Sequence, residues 1–371
     1  MAINNISSAV ASMLFSSSSS SGSVDFSFLT KSSSSSTTAN VGSVKSALVN
    51  AEKNEAKQLA QVAKDPQIQK DLARYEKVVK NAKTIDDVLN DPVARTVLMT
   101  ANGLKADIGN IALAKKAMTS SPTDPNSVAV KMSSINGGWL DFAQNVNLAK
   151  YGLDALSPRN EGVTGRWRMS FEREGEAVEA MLEITKVRGG GYQAVVDGVT
   201  VPVTVDGNNV NVDLLWRDAA DELRTSNFKG TLTKDGLSGK FTNDGELTAA
   251  SWTAPAYFAD AVKNVGANYI AEKRLDMLDA QMPGLGSAVL FKQSASSMKD
   301  AIDILGSPLG REVVTTAFNI PKQIAVQSMV AQEKAIKARM DPAKLQNAHF
   351  VDQIAQRYLI MLNGGLGGVT A

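Results

Sequence analysis

Leu89-Asn-Asp-Pro-Val-Ala-Arg95 and, 216 residues later, Leu305-Gly-Ser-Pro-Leu-Gly-Arg311 carry the same punctuation. In each, a short polar residue stands directly before a proline: Asp91 before Pro92, Ser307 before Pro308. That pairing reads as an N-cap followed by a first-turn proline. The cap side chain accepts from amides the helix leaves unsatisfied, and proline lacks the amide that would be wasted there. Continuing without gaps, Val97 meets Val313, Thr100 meets Thr316, Ala101 meets Ala317, Leu104 meets Ile320 and Ile108 meets Ile324. With one gap, Asp124-Pro125 meets Asp341-Pro342. The chain therefore reads as two copies of a helical unit closing over a shared apolar interior. Arg95 and Arg311 are expected on the helix surface, each paired to a nearby carboxylate.

Outward from these anchors the apolar spacing stays helical. Val44, Leu48, Ala51, Leu59 and Val62 make one stripe, and Ile68, Leu72, Tyr75 and Val79 continue it beyond Asp65-Pro66. Thr84-Ile-Asp-Asp87 resembles a capping box, and Gly103 is placed to end a helix from the left-handed region. Gly137-Gly138 interrupts before Trp139, Phe142 and Val146. In the second arm, Val262 to Leu278 reads as a helix stopped by Met282-Pro283-Gly284. Helices are then predicted over Ser287–Leu305, Pro308–Asn319, Pro321–Arg339 and Ala348–Leu362.

Between the arms the period shortens to two. Trp167, Met169 and Phe171 alternate with Arg166, Arg168 and Ser170. Gly189-Gly190-Gly191, Asp197-Gly198, Asp206-Gly207 and Asp235-Gly236 punctuate short strands, as hairpin turns do. Seven or eight antiparallel strands follow. The fold class is thus α+β: a mainly α-helical domain formed by N- and C-terminal arms, 43–157 and 256–363, with an inserted antiparallel all-β small barrel or sandwich over 158–255. Residues 1–42 hold serine runs and read as a disordered leader, in which Phe15, Phe26 and Phe28 are candidate partner-docking anchors. Residues 364–371 read as a flexible tail.

Composition excludes more than it assigns. Lys+Arg is 39 against 38 Asp+Glu, a net charge of +1, so nothing announces a nucleic-acid partner. Residues 160–255 hold ten basic and fifteen acidic residues, a net of −5. There is no cysteine, which removes disulfides and thiolate metal sites and suits a chain exported unfolded. No apolar run is long enough for a membrane helix, and no positive charge precedes the short apolar patch Ala9–Phe15, so neither membrane insertion nor a standard signal peptide is expected.

Catalytic chemistry is not expected. His349 stands alone, Asp86-Asp87 point apart on a helix, and no nucleophile elbow or phosphate loop is present. Glu172, Glu174 and Glu176 lack the spacing of a calcium loop and read as a solvated face. No cofactor and no metal is expected. Trp167, Tyr192, Trp216 and Trp252 all fall in the β insert. They are candidate ligand-binding residues for a glycan or small apolar molecule, although core packing is the commoner fate of such aromatics.

The first arm, through the run Thr84 to Leu104 with Asp124-Pro-Asn-Ser127 and Phe142, resembles the bacterial family called domain of unknown function 1217. The second arm, through Pro308–Ile324 and Phe350–Leu359, resembles another copy or the remainder of the same domain. The resemblance implies a compact helical fold and a non-enzymatic structural or assembly role in the bacterial flagellum. It also implies other flagellar proteins, or a second copy, as partners. Helices from both chain ends around a central β segment, without cysteine, resemble the organisation of flagellar axial proteins, and that likeness implies export by the flagellar type III apparatus. The long β insert departs from that family's compact form. A ligand-binding module and a cytoplasmic export chaperone are the alternative readings.

Overall fold

The computed structural model describes residues 41–133, 135–218, 220–243 and 249–364, in two compact units. The leader with Phe15, Phe26 and Phe28, and the tail past Gly364, lie outside the described residues. Of the described residues, the first unit takes those up to Val78, Thr84–Lys150 and those from Lys263; the second takes those in Val79–Lys83 and Tyr151–Val262.

The helices of the first arm are α1 (Val41–Lys53), α2 (Glu55–Ala63), α3 (Pro66–Asn81), α4 (Ile85–Asn90), α5 (Pro92–Thr100), α6 (Ile111–Met118), α7 (Val128–Ser133), α8 (Gly138–Asn145) and α9 (Leu148–Tyr151). Those of the second are α10 (Ala261–Gln281), α11 (Leu285–Ser294), α12 (Ala301–Gly306), α13 (Pro308–Ala317), α14 (Met329–Lys337) and α15 (Ala348–Leu362). Two predicted helices are each broken in two. Asp300 forms a capping box with Asp303, so α12 starts afresh inside the span Ser287–Leu305. Ser328 caps Ala331, so a 3₁₀ turn at Lys322–Val326 precedes α14.

The repeat is present in backbone detail. Asp91 accepts from the amides of Val93 and Ala94; Ser307 accepts from Gly310. Thr84 and Asp300 both head capping boxes. Gly103 (φ 71°) and Asn319 (φ 50°), again 216 apart, hold the left-handed position after α5 and α13. The amide of the next residue then reaches back five positions, Leu104 to the Met99 carbonyl at 2.9 Å and Ile320 to that of Thr315 at 2.8 Å. This is the Schellman closure, which satisfies carbonyls at the helix end.

Arg95 and Arg311 correct the expectation of a carboxylate partner. Arg95 Nη1 donates to the Leu89 carbonyl at 2.5 Å and Arg311 Nη1 to the Leu305 carbonyl at 3.3 Å. Each guanidinium thus satisfies the C-terminal end of the preceding short helix, where the helix dipole favours a cation.

The arms exchange their first helices. Val44, Leu48 and Ala51 of α1 are buried in the core built by α11 to α15. Leu59 and Val62 of α2 pack with Ala267 and Ile270 of α10. Reciprocally, the Tyr269 hydroxyl on α10 donates to Asp71 on α3 at 2.9 Å. At the crossing, the buried Arg274 donates from Nε to Gln58 Oε1 (3.0 Å), from Nη1 to Glu55 Oε1 (3.1 Å) and from Nη2 to the Ala51 carbonyl (2.7 Å). Gln58 and Arg274 occupy equivalent positions of the two copies.

The second unit is a nine-stranded antiparallel sheet: β1 (Gly165–Arg173), β2 (Glu176–Lys186), β3 (Tyr192–Val196), β4 (Val199–Val201), β5 (Val203–Asp206), β6 (Asn209–Arg217), β7 (Leu223–Thr233), β8 (Gly236–Asn243) and β9 (Ala250–Ala254). The strand order is β4-β3-β2-β1-β9-β8-β7-β6-β5. The predicted strand Val199–Val205 is divided at Pro202: its first half pairs with β3, its second with β6. Proline has no amide for a ladder, and here its carbonyl accepts from Asp213 at 3.1 Å. One bent strand therefore serves both ends of the sheet and nearly closes it into a barrel, which leaves little free edge. Of the two sequence alternatives, barrel and sandwich, the barrel stands.

Candidate functional site

The bore of the barrel is filled. Phe171, Phe228, Phe241 and Trp252 are buried together, with Phe228 and Phe241 stacked at 4.7 Å and Trp252 edge-on to Phe228 at 5.7 Å. Trp252 lies over Gly230, where a Cβ would come within 2.3 Å of the ring. Its indole N–H donates to the Lys229 carbonyl at 3.0 Å. Trp167 is equally spent: it is buried, and its N–H donates to the Val163 carbonyl at 2.9 Å. Burial of such rings contributes about 25 cal/mol per Å² removed from water, and a satisfied indole N–H avoids the penalty of a lone buried donor.

The four candidate aromatics do not converge. Antiparallel register puts Tyr192, opposite Lys186, at the end of the barrel where β2 finishes. Trp216, opposite Arg224, lies at the other end, where β1, β3, β6 and β8 finish. Trp252 lies between, opposite Phe171 and Gly239.

The Trp216 end has features beyond packing. Trp216 is half-buried, with the Arg173 guanidinium 4.3 Å above its ring. Its indole N–H donates to Ser226 Oγ at 2.8 Å, and that hydroxyl, fully buried, donates to Asn243 Oδ1 at 2.5 Å. A cation–π contact and a two-step hydrogen-bond chain thus hold the indole in one orientation. Sequence reading missed Arg173, Ser226 and Asn243. The signal was parity: Arg173 continues the inward series Trp167, Met169, Phe171.

Around this mouth the charge is one-sided. The turns and strand ends carry Glu172, Glu174, Glu176, Asp197, Asp218, Asp221 and Glu222 against Arg173, Arg217 and Arg224, a net of −4 among the described residues. The opposite end carries Lys186, Arg188 and Lys234 against Asp206 and Asp235, a net of +1. Glu174 (φ 52°) and Asp197 (φ 46°) stand first in the tight turns, each followed by a glycine with positive φ, as type I′ hairpins require. The Arg224 guanidinium, with the Glu222 and Ala220 amides, holds the Asp218 carboxyl below the usual carboxylate range. Beside these charges three apolar side chains are left in solvent: Val199, Leu215 and Leu223.

A second cluster of charge lies on α10. Burial, with Asp276 adding, pushes the Glu272 carboxyl up to about 7. Lys105 bonds Asp276, and Asp279 accepts from the Gly286 amide at 2.7 Å. Among the described residues no group of three or more His, Cys, Asp or Glu could hold a metal ion, and no helix is long and apolar enough to cross a membrane. His349 lies in the first turn of α15, where its amide donates to the Asn347 cap at 2.9 Å.

Residues 244–351 match the model of a family described as "Protein of unknown function (DUF1217)". The resemblance to that family is therefore shown for the stretch from the last barrel strand to the start of α15, in the second arm rather than the first. No curated protein matches the chain. A solved crystal structure of a protein from Agrobacterium tumefaciens is similar at 17% identity, covering 88% of this chain and 95% of that one, with a TM-score of 0.49.

Proposed function

We propose that this chain is a non-enzymatic structural or assembly component of the bacterial flagellum, exported through the flagellar type III apparatus, that works by docking folded surfaces. The observation that carries the non-catalytic part is the packed bore: the barrel spends Phe171, Phe228, Phe241, Trp167 and Trp252 on its own core. The helical unit likewise turns its buried charges on itself, with Arg274 held by Gln58, Glu55 and the Ala51 carbonyl. The organelle comes from the DUF1217 resemblance alone. Cell fractionation tests it. The chain is expected in the flagellar or extracellular fraction of cells with an intact export apparatus and in the cytoplasm of cells without one. Recovery from the cytoplasm in both would overturn the organelle assignment and favour an export chaperone.

A second reading rests on Trp216, the one candidate tryptophan of the barrel that keeps solvent contact. A glycan stacking there must displace Arg173 from the ring. Titration of tryptophan fluorescence with cell-wall fragments checks it, and Trp216→Phe is expected to abolish any response.

A further inference from the structure

Two surfaces, one in each unit, expose large apolar side chains that the fold does not demand. The first is the acidic mouth of the barrel, where Leu215 and Leu223 stand 55% and 61% exposed. Leu215 pairs with Thr225 and Leu223 with Arg217, so the two leucines are diagonal neighbours on the outer face of β6 and β7. The second is the approach to α14, where Val326, Met329 and Val330 stand 89%, 55% and 74% exposed within five residues. The internal repeat supplies its own control. In the first arm the corresponding stretch begins Gly109-Asn110, and its large apolar side chains, Ile111 and Leu113, are half-buried. A helix in this position folds without a bare apolar face.

Charge distinguishes the partner. Downstream of Val330 come Glu333, Lys334, Lys337 and Arg339, a net of +2, with Lys334, Lys337 and Arg339 exposed. The mouth of the barrel carries −4. Apolar surface with a basic flank matches apolar surface with an acidic flank, and complementary rims of this kind steer encounter and fix register. We infer that the chain self-associates head to tail, the acidic barrel mouth of one copy docking on the Val326–Val330 surface and basic flank of α14 in another. Because the two patches differ, the contact is heterologous: a pair leaves the α14 patch of one copy and the barrel mouth of the other free, so either end can add a further copy.

This deepens the structural-component reading and rests on it. Sedimentation of the purified full chain reads the association wherever in the cell the protein resides, so the two can fail separately. The wild-type chain is expected to form species larger than a dimer as concentration rises, and to lose them as salt screens the rims. Val330→Glu, and separately the pair Asp221→Lys with Glu222→Lys, are each expected to weaken association at least tenfold, with unchanged circular dichroism because all three side chains are exposed. Lys334→Glu with Arg339→Glu does the same. Mixing that variant with the Asp221→Lys, Glu222→Lys variant restores a complex that neither forms alone. A chain that stays monomeric at every concentration and salt overturns the inference. So does association indifferent to these substitutions, a mixture that fails to recover, or a monomer that instead co-sediments with anionic phospholipid vesicles through α14.

Discussion

The two arms of the helical unit share one backbone plan and differ in what they place on it. The first caps its central helix with Asp91, the second with Ser307; the first closes it with Gly103, the second with Asn319. Tyr75 and Phe291, at equivalent positions, are both fully buried, yet the Tyr75 hydroxyl has no hydrogen-bond partner among the described residues. The comparison teaches that the plan lies in the orphan amides and carbonyls at helix ends, which several residue types can satisfy. The core contents vary as long as volume is kept.

The largest expected effect breaks the exchange between arms. Arg274→Ala leaves Glu55 without its buried partner and should cost about 3–5 kcal/mol in urea denaturation. If the two arms were independent, the loss would be small and unfolding would become biphasic.

Glu272→Gln sharpens the same contrast through pH. The folded carboxyl titrates at about 7 against an ordinary value of 4.5. A raised carboxylate pKa means the folded state holds its proton longer. Stability from this group is therefore full below about pH 4.5 and falls as pH rises through about 7. The glutamine variant should be about 3 kcal/mol more stable than wild type at pH 8, with the difference vanishing near pH 4. A constant difference across that range would assign the effect to packing.

Arg95→Ala and Arg311→Ala test whether equivalent positions do equivalent work. Each loses a charged hydrogen bond to a helix-end carbonyl, so each should cost about 1.5 kcal/mol, alike to within about 0.5. The smallest effects concern residue choice. Tyr75→Phe, which copies the second arm, should stabilise by about 1 kcal/mol by removing an unsatisfied buried hydroxyl. Gly103→Ala should cost about 1 kcal/mol, because alanine resists the left-handed backbone that Asn319 tolerates. Thermal melts of the variants check both.

Much of this was legible. Asp-Pro and Ser-Pro caps, alternating Trp167-Met169-Phe171 and the Asp-Gly turns act within a few residues, so they mark helices, strands and turns in the linear chain. The breaks inside Ser287–Leu305 and Pro321–Arg339 were harder to see. Asp300 and Ser328 cap just as well as Asp91, but they sit inside stretches whose apolar spacing reads as continuous. The barrel's candidate site was half legible: Trp216 was named from its residue type, while Arg173, Ser226 and Asn243 gain meaning only when four strand ends meet.

The amino-acid sequence by itself determined the α+β class, the inserted β segment, the repeat and the acidic balance of that insert, because each depends on local spacing or on a count. Tertiary structure alone decided that the arms trade their first helices, that Pro202 bends one strand to serve both ends of the sheet, and that Trp167 and Trp252 are core while Trp216 meets water. Those outcomes depend on which distant surfaces bury each other, and burial is a property of pairs that no single stretch of chain contains.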